Sequence, residues 1–486
     1  MRRMKGAAGL LTALLLAFQL SAQTFALANE DNGIKVVPVN FTHNGYSYEI
    51  EGVAKSTDGD YQMKSPARLA ARKLPSTYDP RSSGEITTVK DQASTGACWA
   101  FSALACAEQD LIKKGLENPS AEFSVPALVL SSNSGTATGK DDFSSGGNWL
   151  FAASALANGQ GLCYEDYEPF LESGTENMIV SENKKSVSEY RLNYVMELSS
   201  TTQVKRKIME LGAVSASYFA GNGYMNHNNT AYYDPDASKN TIINHSVIVV
   251  GWDDNYSKDN FRYKPANNGA WLVKGSWGAD QDNDGFYWVS YDEAEFGQFC
   301  CYDFEESCDN TYHYSKMTGY VVNASNDGSV YGANVFTAKA DEKLDKAGFM
   351  YVGKTGSADY TLSVYTNVSD SDPIGVLETQ ISGSVSANGF YTVDFPEDIL
   401  LEEGEKYSIS VKFSGDSGRG YLLAESDRTS KAQSGQSYIS LNGKYWSDVG
   451  ADKTDSIGSL FIYAYTDDTA TVSYTHLRAH ETRHDL

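Results

Sequence analysis

The chain is short of cationic side chains, histidine and cysteine, and each shortage narrows what it does. Its 486 residues carry 39 Lys and Arg against 63 Asp and Glu, a net charge of −24. A surface of that sign repels phosphate backbones and anionic headgroups, which disfavours nucleic acid and anionic membrane as partners. After the run from Leu10 to Leu20, no apolar stretch approaches the roughly 20 residues of a membrane-spanning helix. No cysteine precedes Cys98, so a lipid-anchoring cysteine is absent from the leader.

What is present is enough for two or three domains with ordinary cores, since 41% of residues are hydrophobic and 21% charged. Met1-Arg2-Arg3-Met4-Lys5, the apolar run and Ala26-Leu27-Ala28 read as a cleaved secretory signal over residues 1–28. Export to the extracellular space follows, with attachment to the cell surface left open. Loss of the three leader cations leaves a mature charge of about −27.

The most informative stretch is Gln92-Ala-Ser-Thr-Gly-Ala-Cys98-Trp99-Ala-Phe101-Ser102. Residues after Cys98 are rich in helix formers, which sets the thiol at a helix N-terminus where the dipole favours a thiolate. Gln92 supplies a side-chain amide donor six residues upstream. A thiolate needs a proton partner. Among His43, His227, His245 and His313, only His245 opens an apolar β-type run, closed by Gly251-Trp252. Further strand-like runs are Gly269 to Gly278, containing Gly275-Ser276-Trp277, and Gly285 to Ser290.

A cysteine near the mature N-terminus, a histidine about 150 residues later and then a Ser-Trp-Gly strand end is the order of the papain and cathepsin group. From Leu74 to Tyr291 the chain resembles papain-like cysteine peptidases. Leu74-Pro75-Ser-Thr-Tyr78-Asp79-Pro80-Arg81 with Val89-Lys90-Asp91-Gln92 resembles the family's mature N-terminal stretch. Ser145-Gly146-Gly147 resembles its substrate-binding glycine pair, and Gly161 to Phe170 the segment that follows. The resemblance implies a two-lobed α+β fold, a helical lobe beside a β-barrel-like lobe, and endopeptidase activity through an acyl-enzyme. In that scheme Cys98 is nucleophile, His245 base, Gln92 an oxyanion donor and Trp277 an indole shield on the imidazole. By position Ile243, Ser217 and Ser246 line the main specificity pocket, and peptides or proteins are the substrates.

The sequence departs from the family at two places. Gly275 occupies the position of the asparagine that orients the catalytic imidazole, and Gln281 that of a second tryptophan. Imidazole orientation then falls to packing, to water or to another group, and a misplaced base costs on the order of 100-fold in rate. The alternative reading is a weakened or inactive homologue that binds protein or glycan at a surface.

With Cys98 kept free, Cys106, Cys163, Cys300, Cys301 and Cys308 allow at most two disulfides. A bridge from Cys300 or Cys301 to Cys308 stands against free, partly buried thiols, and the adjacent pair does not readily join. The framework bridge common in the family is missing at both ends, Thr95 and Ser144.

Residues 29–73 form a short polar pro-region ending in Arg68-Leu-Ala-Ala-Arg72-Lys73, read either as a processing site or as an exposed basic linker. The peptidase domain is expected over 74–305. From 306 to 468 short alternating runs separated by Gly, Asn, Asp and Ser predict an antiparallel β-sandwich. Gly332 to Ala338, Gly389 to Val393 and Ser437 to Asp448 resemble the lectin-like module of some bacterial secreted cysteine peptidases. Residues 469–486, with Ser473-Tyr-Thr-His476-Leu-Arg-Ala-His480, read as adaptor-derived and are excluded from the fold. Asp280-Gln-Asp282-Asn-Asp284-Gly285 matches the first half of a calcium loop, but Tyr291 replaces the bidentate acid, so a polar turn is expected. No cofactor and no metal are expected.

Overall fold

The structure is a computed structural model. It describes residues 73–132, 143, 146–159, 162–167, 169–170, 189–221, 223–237, 243–279, 284–316, 321–369, 372–425, 432–451 and 457–469, with backbone strands Leu27–Ala28 and Lys35–Val39. The signal, nearly all of the pro-region and the adaptor-like tail lie outside the described residues, as do Gln281 and most of the predicted calcium turn.

Helix α1 (Cys98–Lys114) is the axis of the first domain. Its alanine-rich sequence favours helix, and it stops at Gly115, whose φ of +73° suits glycine and whose N–H returns to the carbonyls of Leu111 and Ile112. Lys114, in its last turn, pairs with Asp110 at 2.8 Å and with Asp303 at 2.7 Å. Burial raises the Asp110 carboxyl to about 7, against the opposing pull of Lys114. Helices α2 (Val125–Ser132) and α3 (Trp149–Ala157) pack on α1 through Leu104, Leu128, Leu150 and Leu156. Helix α4 (Thr201–Leu211) follows strand β1 (Tyr190–Leu198) and is N-capped by Ser200, whose hydroxyl accepts from the Gln203 N–H.

The sheet of this domain continues through β2 (Val214–Tyr218), β3 (His245–Asp253), β4 (Ala270–Lys274), β5 (Phe286–Ser290) and β6 (Gly297–Glu306). The order is β1-β6-β2-β3-β4-β5 with each of these neighbours antiparallel, and Ala231–Tyr232 pairs parallel on the outer edge of β5. All six cysteines are free thiols.

The second domain contains β7 (Val321–Thr337), β8 (Glu342–Tyr351), β9 (Ala358–Thr366), β10 (Val376–Val385), β11 (Gly389–Leu401), β12 (Lys406–Glu425) and β13 (Ile462–Asp468). One layer is β7-β12-β9-β10, with Lys35–Val39 laid antiparallel along Val321–Ser325. The other, β13-β8-β11, does not end at the domain edge. Gly389 and Phe390 pair with Met196 and Val195 of β1, so this layer and the first-domain sheet are one twelve-stranded sheet. The α+β fold with an all-β second domain is as expected, whereas the shared sheet is not visible in the alternation. It depends on a close approach: a Cβ on Gly389 would stand 2.1 Å from the Val195 carbonyl oxygen.

Candidate active site

The loop entering α1 is fixed from below by a buried polar cluster. Glu108, 1% exposed, accepts from Lys90 Nζ at 3.0 Å, Thr87 Oγ1 at 3.0 Å and the Phe123 N–H at 3.1 Å. Lys274, at the end of β4, donates to Thr87 Oγ1 at 2.7 Å. Burial lowers the Lys274 ammonium to about 8, against the attraction of Glu108. The cluster ties the strand carrying Gly275 to the loop carrying Gln92.

Gln92 is held at both ends of its amide. Its Oε1 accepts from Ser276 Oγ at 2.6 Å, and its Nε2 donates to the Thr95 carbonyl at 2.9 Å. The Gln92 N–H also reaches the Ser276 carbonyl at 2.8 Å. A carboxamide has two N–H donors, so one remains for another acceptor. In the sequence Ser276 stands out only as part of Ser-Trp-Gly, because its partner lies 184 residues away.

Cys98 is the first residue of α1, whose N-cap is Ala97 with no side-chain cap and whose first turn has no acid. The Ala100 and Phe101 N–H groups close on the Ala97 carbonyl at 2.9 and 3.1 Å, and the two amides before them face the thiol. Burial pushes the Cys98 thiol above its ordinary value, opposed by hydrogen bonds from the Ser246 backbone, from the Trp99 backbone, from the Ser246 hydroxyl and from Cys98's own backbone. Ser246 follows His245, which places the thiol against the start of β3.

His245, 5% exposed, lies between two aromatic rings. Trp277 stacks on one face, centroids 4.2 Å apart and planes 9° off parallel, and Tyr218 meets it edge-on at 5.9 Å. Tyr218 is itself fixed by a 2.7 Å hydrogen bond to Tyr287. His245 Nε2 has no hydrogen-bond partner among the described residues. Burial drives the imidazole down to about 3. Burial thus disfavours the charged form of both groups in the free site, acting against the helix terminus that favours a thiolate.

At Gly275 an added Cβ would lie 3.4 Å from the Tyr287 ring and 3.5 Å from the Gly285 carbonyl, both ordinary contacts. The position therefore admits a side chain. Gly147 does not: a Cβ there would stand 2.5 Å from the Trp99 indole, so the glycine backbone packs close against the ring of the residue after Cys98. Gly146 has a φ of +70°. Ser217 and Ser246 are brought together by a 3.0 Å hydroxyl contact. Ile243 lies half-buried in the loop before β3, outside the hydrophobic clusters around the site. A small hollow near the site is lined by Phe101, Ser102, Ser246, Lys274, Gly275 and Ser276.

Among the described residues no cluster of His, Cys, Asp or Glu has the makings of a metal site, and no helix is long and apolar enough to cross a membrane.

Residues 74–327 match the papain family cysteine protease profile, and residues 311–466 match a lectin like domain. Cathepsin K of Mus musculus is 24% identical over 216 residues, 44% of this chain and 59% of cathepsin K. Cathepsin L2 of Homo sapiens is 26% identical over 223 residues, 45% of this chain and 62% of cathepsin L2. The chain thus spans less than two thirds of these curated relatives. A structure of the clostridial cysteine protease Cwp84 after propeptide cleavage superposes with a TM-score of 0.70 at 28% identity, covering 81% of this chain and 99% of the solved chain. A structure of the cysteine protease and lectin-like domains of Cwp84, a surface layer associated protein of Clostridium difficile, gives 0.69 at 28% identity, covering 82% and 90%.

Proposed function

Because the chain belongs to the papain family of cysteine proteases, we propose that it hydrolyses peptide bonds through an acyl-enzyme formed on Cys98. One observation carries the reading: Ser276 clamps Gln92 in the loop that enters α1 at Cys98, while the next residue, Trp277, stacks on His245.

A peptide lies extended along the backbone of Gly146 and Gly147, close because neither residue has a side chain. Cys98 Sγ attacks the scissile carbonyl carbon as His245 takes the thiol proton, which forms the thiolate–imidazolium pair. The oxyanion forms against the free Gln92 Nε2–H and the Cys98 N–H. Collapse of the tetrahedral adduct breaks the C–N bond, and the imidazolium returns its proton to the leaving amine. Water, deprotonated by His245, then hydrolyses the thioester and restores the thiol. Trp277 orients the imidazole by stacking, in the role that the asparagine absent at Gly275 has elsewhere in the family. Ser217, Ser246 and Ile243 contribute to the side-chain pocket.

The inactive-scaffold alternative draws on Gly275 alone and is not favoured, since Cys98, His245 and Gln92 are all retained. The residue 1–28 signal supports secretion, and the printed description of Cwp84 as surface layer associated supports action at a cell surface. The lectin-like domain would there hold a protein or glycan. The proposed boundaries are a pro-region to residue 73, the peptidase over 74–305 and the sandwich over 306–468.

The test is peptide turnover by the full chain beside Cys98→Ala, His245→Ala and Gln92→Ala. The first two variants are expected to be inactive. Gln92→Ala should lose about 10²- to 10³-fold in kcat. Undiminished turnover by Cys98→Ala would overturn the reading.

A further inference from the structure

The shared sheet brings a residue of the sandwich to within two side chains of the glycine pair. Asn388, 2% exposed, immediately precedes the Gly389–Phe390 pairing with β1. Its Nδ2 donates to Glu197 Oε2 at 3.0 Å, and its carbonyl accepts the Glu197 N–H at 2.9 Å. Its Oδ1 accepts the Gly353 N–H at 3.0 Å, anchoring it within the second domain. The other carboxylate oxygen of Glu197, Oε1, accepts from Trp149 Nε1 at 3.0 Å. Trp149 is the first residue of α3, capped by Asn148, whose side chain accepts from the Leu150 and Phe151 N–H groups. The segment Gly146–Trp149 is thus held by the Trp99 indole at Gly147 and by Glu197 at Trp149.

Glu197 has only neutral donors, and burial raises its carboxyl above the ordinary range. An isolated peptidase domain would leave this carboxylate without its Asn388 partner, facing the edge that β11 covers. A carboxylate so placed is costly unless its hydrogen bonds are complete.

We propose that the sandwich is a working part of the substrate groove: Asn388 and Glu197 are positioning residues that act through Trp149 to set the Gly146–Gly147 backbone against an extended peptide. The proposal rests on the reading that this glycine pair binds substrate.

The test uses the full chain and Asn388→Ala, Glu197→Gln and the double variant. An extended peptide substrate gives KM and kcat, and iodoacetamide, which makes no use of the glycine strand, gives the alkylation rate at Cys98. Binding of the same peptide is measured in a Cys98→Ala background. The expected result is a five- to tenfold rise in KM and Kd, with kcat and alkylation rate within twofold of the parent. The double variant should be no worse than the worse single variant, because the residues act in series. Unchanged KM and Kd, losses in KM and alkylation together, or additive losses would overturn the proposal. If Asn388→Ala does not fold, Glu197→Gln, which preserves shape, carries the same test. Absence of peptide binding with Asn388 and Glu197 intact would instead overturn the functional reading beneath it.

Discussion

The indole of Trp277 lies flat on the imidazole of His245, 4.2 Å between centroids and 9° from parallel, while His245 Nε2 has no hydrogen-bond partner among the described residues. Stacking fixes the plane of the ring but leaves its rotation within that plane to the fit of Tyr218 and the surrounding core. Trp277 is itself 38% exposed and shields the histidine from solvent. In Trp277→Ala the imidazole gains water and orientational freedom. kcat/KM should fall about 10- to 100-fold, and the His245 titration should move up from about 3 toward its ordinary 6.5, because burial is what lowers it. A pH profile checks both; an unchanged profile would mean that the stack is only packing.

Gly275→Asn is expected to be tolerated, since its Cβ would make only ordinary contacts with Tyr287 and Gly285. A carboxamide there supplies the family's missing orienting group. Turnover should rise, by about tenfold if in-plane rotation of the imidazole now limits the rate. Equal or lower turnover in a folded variant would show that the stacked arrangement is already sufficient.

His245 also sets a pH dependence of stability. Between about 3 and 6.5 the unfolded chain binds a proton at this residue that the folded chain does not. Stability therefore falls as pH falls through that window, by up to about 1.4 kcal/mol per pH unit from this group. Asp110 and Glu293, both raised to about 7, act in the opposite sense, because the folded chain binds their protons more tightly. Comparing urea unfolding of the wild type and His245→Gln from pH 4.5 to 7 isolates the histidine: the variant should lose less stability on acidification. Identical slopes would contradict a buried neutral imidazole.

Ser276→Ala removes the 2.6 Å hydrogen bond to Gln92 Oε1. Gln92 is only 6% exposed, so its oxygen loses a partner that water does not readily replace. The expected effect is a drop of about 5- to 15-fold in kcat with little change in KM, because an oxyanion donor acts on the transition state. Steady-state kinetics separates the two constants, and a change confined to KM would contradict the role.

The sequence was most legible where the chemistry is local. Cys98 at the head of a helix, Gln92 six residues before it and the alternating runs that became β8, β9, β12 and β13 are short-range patterns with direct physical meaning. His245 was found through order along the chain, since its β-type run opens β3 and places it beside Cys98. Long-range relationships were not legible. The Ser276 hydroxyl on Gln92, the Tyr218 edge on His245 and the pairing of Gly389 with Met196 depend on approaches between distant segments. The desolvation that opposes a thiolate was not legible either: a helix terminus is visible in sequence, whereas the burial of Cys98 comes from everything packed over it.

The central claim is that Cys98 is a peptide-directed nucleophile served by His245. The most direct measurement is reaction of the folded full chain with an irreversible peptidyl electrophile, with the adduct located by mass spectrometry. One adduct per chain on Cys98, abolished by excess peptide substrate and slowed strongly in His245→Ala, is predicted. No adduct, or one on Cys106, Cys163, Cys300, Cys301 or Cys308 with Cys98 unmodified, would contradict it.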